Sequence, residues 1–274
     1  MQVIGLCRFS YPGLGGFQVE HATLEDRIAY LYAPTRMEER FRTFESITLP
    51  ALRAQSDSDF TLLIVVGDQL PAPYLDRLVA LTKDLPQVVI QPRAPGQHRQ
   101  VMQSAINSVR RFDGAPCLQF RMDDDDAVAV TYVERLRAVA RDLGPFAARH
   151  RHIAIDFNQG YIARPGPDGL HVAHTQLPYT TPGLALMLQD HVRQTIMNFA
   201  HNKVAQKMPT VTLTGDNMML RGHNEFNDSR QGNRVKPVAL TLLDARGEAE
   251  IKATYNIDAD HVRRLYQSAP SPLT

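Results

Sequence analysis

The chain has 274 residues, long enough to bury a sizeable core, and its 30 Lys and Arg against 29 Asp and Glu leave a formal charge of +1. That balance argues against a nucleic-acid partner, which calls for concentrated basic residues. No apolar run approaches the ~18 residues of a transmembrane segment, the opening MQVIGLCRFSY lacks a basic n-region and a long apolar stretch, and Cys7 and Cys117 form no C-x-x-C. The expectation is a soluble cytoplasmic protein with reduced, buried thiols.

Four short apolar runs in the first half read as strands: VIGLCRF (3–9), FTLLIVV (60–66), QVVIQ (87–91) and PCLQFRM (116–122). Helical patterns separate them. RMEERFRTFESI spaces Phe41, Phe44 and Ile47 by three, YLDRLVALTKDL follows two prolines, and HRQVMQSAINSVRRF aligns Val101, Ala105 and Val109 on one stripe. Thr131 and Glu134 read as a T-x-x-E capping box opening TYVERLRAVARDL. Strands alternating with helices predict an α/β fold with a mainly parallel, doubly wound sheet.

The second half is less regular. HIAIDF (152–157) reads as a strand, and GYIARPGPDGLHVAHTQ as a hairpin turning at Pro165–Gly169. VRQTIMNFAHNKVAQ reads as a helix, residues 214–234 as a polar loop, DADHVRRLYQ as a helix capped by Asp258, and SAPSPLT as a frayed tail. No repeat or linker interrupts the chain, so 1–274 is expected to be one domain.

FRMDDDDAV (120–128) is the most informative stretch, because four adjacent carboxylates at the end of a core strand repel one another. A divalent cation relieves that repulsion. Oxygen-only ligands at alternate positions, Asp123 and Asp125, suit Mn²⁺ or Mg²⁺ bridging to substrate phosphates. Asp124 and Asp126 are expected to point elsewhere, toward a sugar or ribose hydroxyl or toward solvent. Ligands of doubly wound sheets sit at the carboxyl ends of the strands, where this run lies. Asp68, closing the second strand on that edge, reads either as a hydrogen-bonding partner of a ribose or base or as a turn residue. Arg8 and Arg121 read as groups that steer a diphosphate, since guanidinium groups match phosphate oxygens in pairs, and Arg121 reads equally as a structural counter-ion to the aspartates. His223 and Arg230, in HNEFNDSR, are read as a further metal ligand and a further phosphate-binding charge. His171 and His174, three apart on a strand, are read as hairpin residues. SYPGLGGF (10–17) fits neither G-x-G-x-x-G nor a P-loop and reads as a turn near the site.

IGLCRFSYPGLGGF, ITLPALRAQSDSDFTLLIVVGDQLP and FRMDDDDAV together resemble nucleotide-sugar glycosyltransferases of the GT-A fold, and more narrowly a bacterial rhamnosyltransferase family, over roughly residues 1–235. The resemblance implies a nucleotide-sugar-binding half (1–130) and a more irregular acceptor-side half with a C-terminal extension (131–270). It implies a dTDP- or UDP-linked donor, a glycan or lipid-linked acceptor, and a cytoplasmic enzyme that works at the inner membrane where the acceptor is lipid-linked. An inverting member needs a carboxylate base, for which Asp156 and Asp190 are the candidates. A sugar nucleotidyltransferase and a non-catalytic metal- or nucleotide-binding module are the alternatives. The first fits less well because the glycine-containing loop after the first strand has no basic residue.

Overall fold

The structure is a computed structural model and describes residues 1–15, 21–223 and 238–268. Numbered along the chain, β1 (Gln2–Arg8), β2 (Thr61–Gly67), β3 (Val88–Arg93) and β4 (Cys117–Asp123) run parallel in the spatial order β3-β2-β1-β4. Each strand lies within a residue or two of its expected position. The sheet continues through β9 (Leu184–Leu188), β6 (His152–Phe157) and β10 (Thr210–Leu213), giving seven strands in the order β10-β6-β9-β4-β1-β2-β3. β9 runs antiparallel to both of its neighbours, so the mainly parallel sheet carries one reversed strand. A second sheet joins β5 (Ala127–Val128), β7 (Gln159–Gly166), β8 (Gly169–Gln176), β11 (Met219–Gly222) and β12 (Thr241–Leu242). The expected hairpin is β7–β8, turning between Gly166 and Gly169.

Both faces of the main sheet are covered, which is why its central strands are apolar at nearly every position rather than at alternate ones. On one face Cys7, Leu118, Phe120, Met122, Ile155 and Met187 pack with Phe41, Phe44 and Ile47 from α2 (Pro34–Thr43) and the π-helical turn Phe44–Thr48. On the other, Ile4, Leu6, Leu63, Val65, Leu186 and Leu188 pack with Met102, Ala105 and Ile106 of α5 (His98–Val109) and with Ile196, Met197 and Val204. Gly5 in β1 meets the ring of Phe120 from β4, and a Cβ there would lie 2.5 Å from the ring. Among the described residues no helix is long and apolar enough to cross a membrane.

Three local expectations are corrected. Thr131 is the N-cap of the helix α6 (Tyr132–Asp142), but the capping box does not form. Glu134 accepts from the Ser56 hydroxyl at 2.7 Å, and the Val133 N–H donates to Gln55 Oε1 at 3.1 Å, so a distant glutamine supplies the cap. VRQTIMNFAHNKVAQ is not an α-helix but two 3₁₀ turns, Ile196–Asn198 and His201–Gln206. Thr195 and Asn198 close a box around the first turn and Phe199 is extended (φ −118°, ψ 136°), so the chain breaks after one turn while its apolar stripe stays buried. Within the expected loop 214–234, Met219–Gly222 is a strand, and residues 224–234 fall outside the described residues. Asp258 caps its helix as expected, accepting from the His261 N–H at 2.9 Å, and the tail 269–274 lies outside the described residues.

Candidate functional site

Strand order reverses between β1 and β4, which opens a crevice at their carboxyl ends. Arg8 and Asp123 close these two strands as register partners, and Arg8 Nη2 donates to Asp123 Oδ1 at 3.1 Å. Side chains of a strand alternate faces, so Cys117, Gln119, Arg121 and Asp123 share the face covered by α5, while Leu118, Phe120 and Met122 face the other way. Arg121 is therefore carried to the crevice with Asp123, and its Nη1 lies 3.6 Å from Met197 Sδ. Among the described residues no carboxylate is within ion-pair distance of Arg121.

α5 begins at this edge with His98 and Arg99. Burial pushes His98 down to about 3, helped by the charges of Arg8, Arg121 and Arg99 and opposed by Asp123. Burial likewise pushes Arg121 down to about 10, with Asp123 favouring the charge and Arg99 and Arg8 opposing it. Arg8 and Arg99 thus both act on Arg121, and Arg221 of β11 joins Arg121 and Arg99 in acting on His201. The sequence reading named Arg8 and Arg121 here but missed Arg99, Arg221 and His98, and it read His201, in a helical pattern, as packed or capped rather than catalytic. The position of His98 and Arg99 at the start of the helix after the third strand was the available signal.

The acid run divides. Asp123 faces the crevice with 29% of its side chain exposed. The next three residues turn back toward the other face and are buried. Asp124 is fully buried, and both its oxygens are held by Arg40 of α2, through Nε at 2.9 Å and through Nη2. A ribose or sugar hydroxyl cannot reach it without breaking that pair, so the expected ligand-binding role of Asp124 is corrected to a structural one. Asp125 lies 3.7 Å from Arg40 Nη1 and packs against Gly222, where a Cβ would come within 2.5 Å of the Asp125 carbonyl oxygen. Asp126 accepts from the N–H groups of Asp123 at 3.0 Å and Gly222 at 3.1 Å, tying the turn to β11. Burial and the charges of Asp125 and Asp123 hold its carboxyl well above the usual range.

β11 therefore delivers His223 beside the acid turn, its N–H donating to the Ala163 carbonyl at 2.8 Å. Among the described residues no three His, Cys, Asp or Glu side chains converge in a group that could hold a metal ion. The donor set at the turn is nonetheless oxygen from hard carboxylates, with Asp123 partly open, and fits a cation such as Mg²⁺ that binds one or two carboxylates and completes its shell with phosphate oxygens and water. Arg230 falls outside the described residues. Asp68 is exposed just past β2 at the same edge, its N–H donating to the Arg93 carbonyl at 3.0 Å. His171 and His174 bond Asp168 at 2.9 Å and Asn217 at 3.0 Å within the second sheet, as expected of hairpin residues.

Neither carboxylate expected as a base is placed for that task. Asp190 follows β9, whose last residue Leu188 pairs with Cys117 and His152 at the amino ends of β4 and β6. It lies at the opposite edge of the sheet, about one strand length or ~20 Å from Asp123. Asp156 does lie at the correct edge but is wholly buried, accepting from the Tyr179 N–H at 2.9 Å and the Thr212 hydroxyl at 3.4 Å. Burial raises its carboxyl from 3.8 to about 6. The folded state then holds this proton more tightly than the unfolded chain, so its contribution is fullest below about pH 4 and is lost as pH rises through 6, on the order of 3 kcal/mol by pH 7. Asp156→Asn should flatten that fall in urea melts compared between pH 4.5 and 7; an unchanged pH slope would contradict the assignment.

The family model described as "Putative rhamnosyl transferase" matches residues 2–236. Solved structures similar to this chain include TarS of S. aureus (residues 1–349), at 10% identity and TM-score 0.44 over 81% of this chain and 60% of that one. The same protein in complex with UDP matches at 10% identity and TM-score 0.42 over 81% and 61%. A UDP-glucose pyrophosphorylase complexed with UDP-glucose matches at 9% identity and TM-score 0.27 over 69% and 76%. The chain thus spans about three fifths of the TarS chain it matches. No curated protein matches it. Matched by that family model over residues 2–236, the chain belongs to the "Putative rhamnosyl transferase" family.

Proposed function

We propose that this protein, working as a single domain, moves a sugar, rhamnose by its family, from a dTDP- or UDP-linked donor to a hydroxyl of a glycan or lipid-linked acceptor. The observation that carries the reading is the set of guanidinium groups at the strand-order reversal. Arg8, Arg99 and Arg121 lie together there with one partly open carboxylate, Asp123. Such a crevice favours a ligand carrying two or more negative charges, and a nucleoside diphosphate brings them. The amino end of α5 has no side-chain cap, its first N–H, of His98, donates to the Leu14 carbonyl at 3.1 Å, and the helix directs its positive dipole end to the same edge. Asp68, one strand over and exposed, suits a ribose or base hydrogen bond.

Asp123 would hold Mn²⁺ or Mg²⁺, whereas Asp125, expected as its companion ligand, is turned to the other face, 3.7 Å from Arg40. The bound ion would supply positive charge to the departing diphosphate. The arginines share that task, stabilising the leaving group as the glycosidic bond breaks.

Ligand linkage tests the reading. A nucleotide at 100 times its dissociation constant stabilises by about 2.7 kcal/mol, worth on the order of 2–4 °C per kcal/mol in a large domain. UDP or dTDP with Mn²⁺ should raise the melting temperature by several degrees, and each component alone by less. Release of nucleoside diphosphate from UDP-glucose or dTDP-rhamnose should follow. Binding without turnover would favour a non-catalytic module, release of pyrophosphate from a nucleoside triphosphate and a sugar phosphate a nucleotidyltransferase, and no shift with any nucleotide would end the proposal.

A further inference from the structure

With Asp156 enclosed and Asp190 at the far edge, the crevice needs another group to take a proton. His201 begins the second 3₁₀ turn, and its Nδ1 lies 2.8 Å from the Tyr179 carbonyl oxygen. A carbonyl has no proton to give, so Nδ1 carries the hydrogen, and in the neutral ring Nε2 is left with a lone pair. The carbonyl that sets this tautomer is itself held. Tyr179 has a left-handed backbone (φ 61°), uncommon for a tyrosine, and its N–H is bonded by the buried Asp156 carboxylate at 2.9 Å. A buried carboxylate thus orients a peptide unit, and that unit orients an imidazole.

The ring's surroundings select what Nε2 can meet. Arg121 from β4, Arg221 from β11 and Arg99 from α5 all bear on it, and the Tyr179 hydrogen bond opposes them. Burial first, then these three cations, keep the ring's pKa below its usual 6.5, so it is neutral at pH 7. A lone pair repels phosphate oxygens, so the imidazole does not share the anion-binding task of its neighbours. It accepts a hydrogen bond, and the donors a sugar-transfer crevice offers are hydroxyl groups.

We infer that His201 is the general base of sugar transfer, its Nε2 taking the proton of the acceptor hydroxyl. The inference rests on the transfer reading above and specifies a single displacement. The acceptor oxygen forms its bond to the anomeric carbon while the bond from that carbon to the diphosphate oxygen breaks. The nucleoside diphosphate leaves with that electron pair, and the hydroxyl proton ends on Nε2. Asp156 is then a positioning residue, acting through Tyr179. Donor binding also tunes the base: negative phosphates among Arg121, Arg99 and Arg221 offset the cations that depress the ring, raising its proton affinity when the acceptor arrives.

The test uses the full chain, with UDP and dTDP as nucleotides and UDP-glucose and dTDP-rhamnose as donors, water serving as acceptor. His201 keeps much of its surface open to solvent although its ring is partly enclosed beside the arginines, so His201→Gln should fold normally. Nitrogen NMR of the imidazoles, assigned by the loss of one signal in that variant, should show hydrogen on Nδ1 and a ring pKa that rises when the nucleotide binds. The variant should release nucleoside diphosphate about 10²–10⁴-fold more slowly, keep its nucleotide affinity, lose the acid limb of the kcat/KM profile, and be partly rescued by added imidazole. An Nε2–H tautomer, an acid limb that survives in His201→Gln, or a loss confined to nucleotide affinity would overturn the assignment. If the unsubstituted protein neither binds a nucleotide nor releases one, the transfer reading falls first and the base falls with it.

Discussion

Arg121→Met is expected to abolish nucleotide-diphosphate binding at working concentrations while leaving the free protein at least as stable as before. Removing one partner of a buried, hydrogen-bonded charge pair costs about 2–5 kcal/mol of binding. At 1.4 kcal/mol per tenfold, that is a loss of roughly 30-fold to several thousand-fold in affinity. The opposite sign for stability follows from the free site. Arg121 is half-buried, among the described residues its guanidinium hydrogen-bonds only the sulfur of Met197, and it shares its crevice with Arg8 and Arg99. Desolvation and like charge both oppose its ionised form. A methionine of similar length fills the space beside Met197 without either cost, the usual trade of stability against function at a binding site. Calorimetric titration with UDP and dTDP, alongside thermal melts without ligand, reads both halves. A variant that binds nucleotide normally would remove Arg121 from the site, and a large fall in melting temperature would make it a structural residue.

Arg40→Met should do the reverse, striking the fold directly. Arg40 is 1% exposed and Asp124 is fully buried, and the pair holds the acid turn against α2. Breaking a buried pair from one side leaves an uncompensated charge and costs about 3–5 kcal/mol, which corresponds to a fall on the order of 10 °C in melting temperature. Arg40→Met combined with Asp124→Leu removes both charges and should recover most of that loss, because two apolar groups of similar volume often replace a buried ion pair without net cost. The double-mutant cycle separates the pair from its surroundings. A single variant that melts within a degree of the unsubstituted protein would show that the pair does not hold the turn.

Much of this architecture was legible before any coordinates. The four parallel strands announced themselves as short apolar runs ended by Pro, Gly or Asp, because a strand covered on both faces has no polar side to show. The hairpin β7–β8 was readable from Pro and Gly at its turn, and Asp258 from its place before a helical stripe. LALML (184–188) is as apolar as any of them and directly follows Pro182–Gly183, yet its strand went unread. Its antiparallel direction was beyond any local pattern. The helix α8 (Ala245–Tyr255) escaped because only Ile251 and Tyr255 of its residues are buried, too few to make a stripe.

The sequence by itself determined that an acid run ends a buried strand, that one arginine closes the first strand and another sits just before the acids, and that the chain alternates strand and helix into an open sheet. These follow from local chemistry: side-chain polarity, turn residues and period. Which of the four aspartates stays partly open at the strand-order reversal was decided only by the tertiary structure. Register across β1 and β4 sets Asp123 against Arg8, while Arg40, brought from 84 residues away, draws Asp124 to the opposite face. The same holds for His201, which owes its tautomer to a carbonyl 22 residues earlier and its electrostatic setting to arginines on three separate elements. Proximity of that kind comes from packing between distant segments, and no spacing along the chain records it.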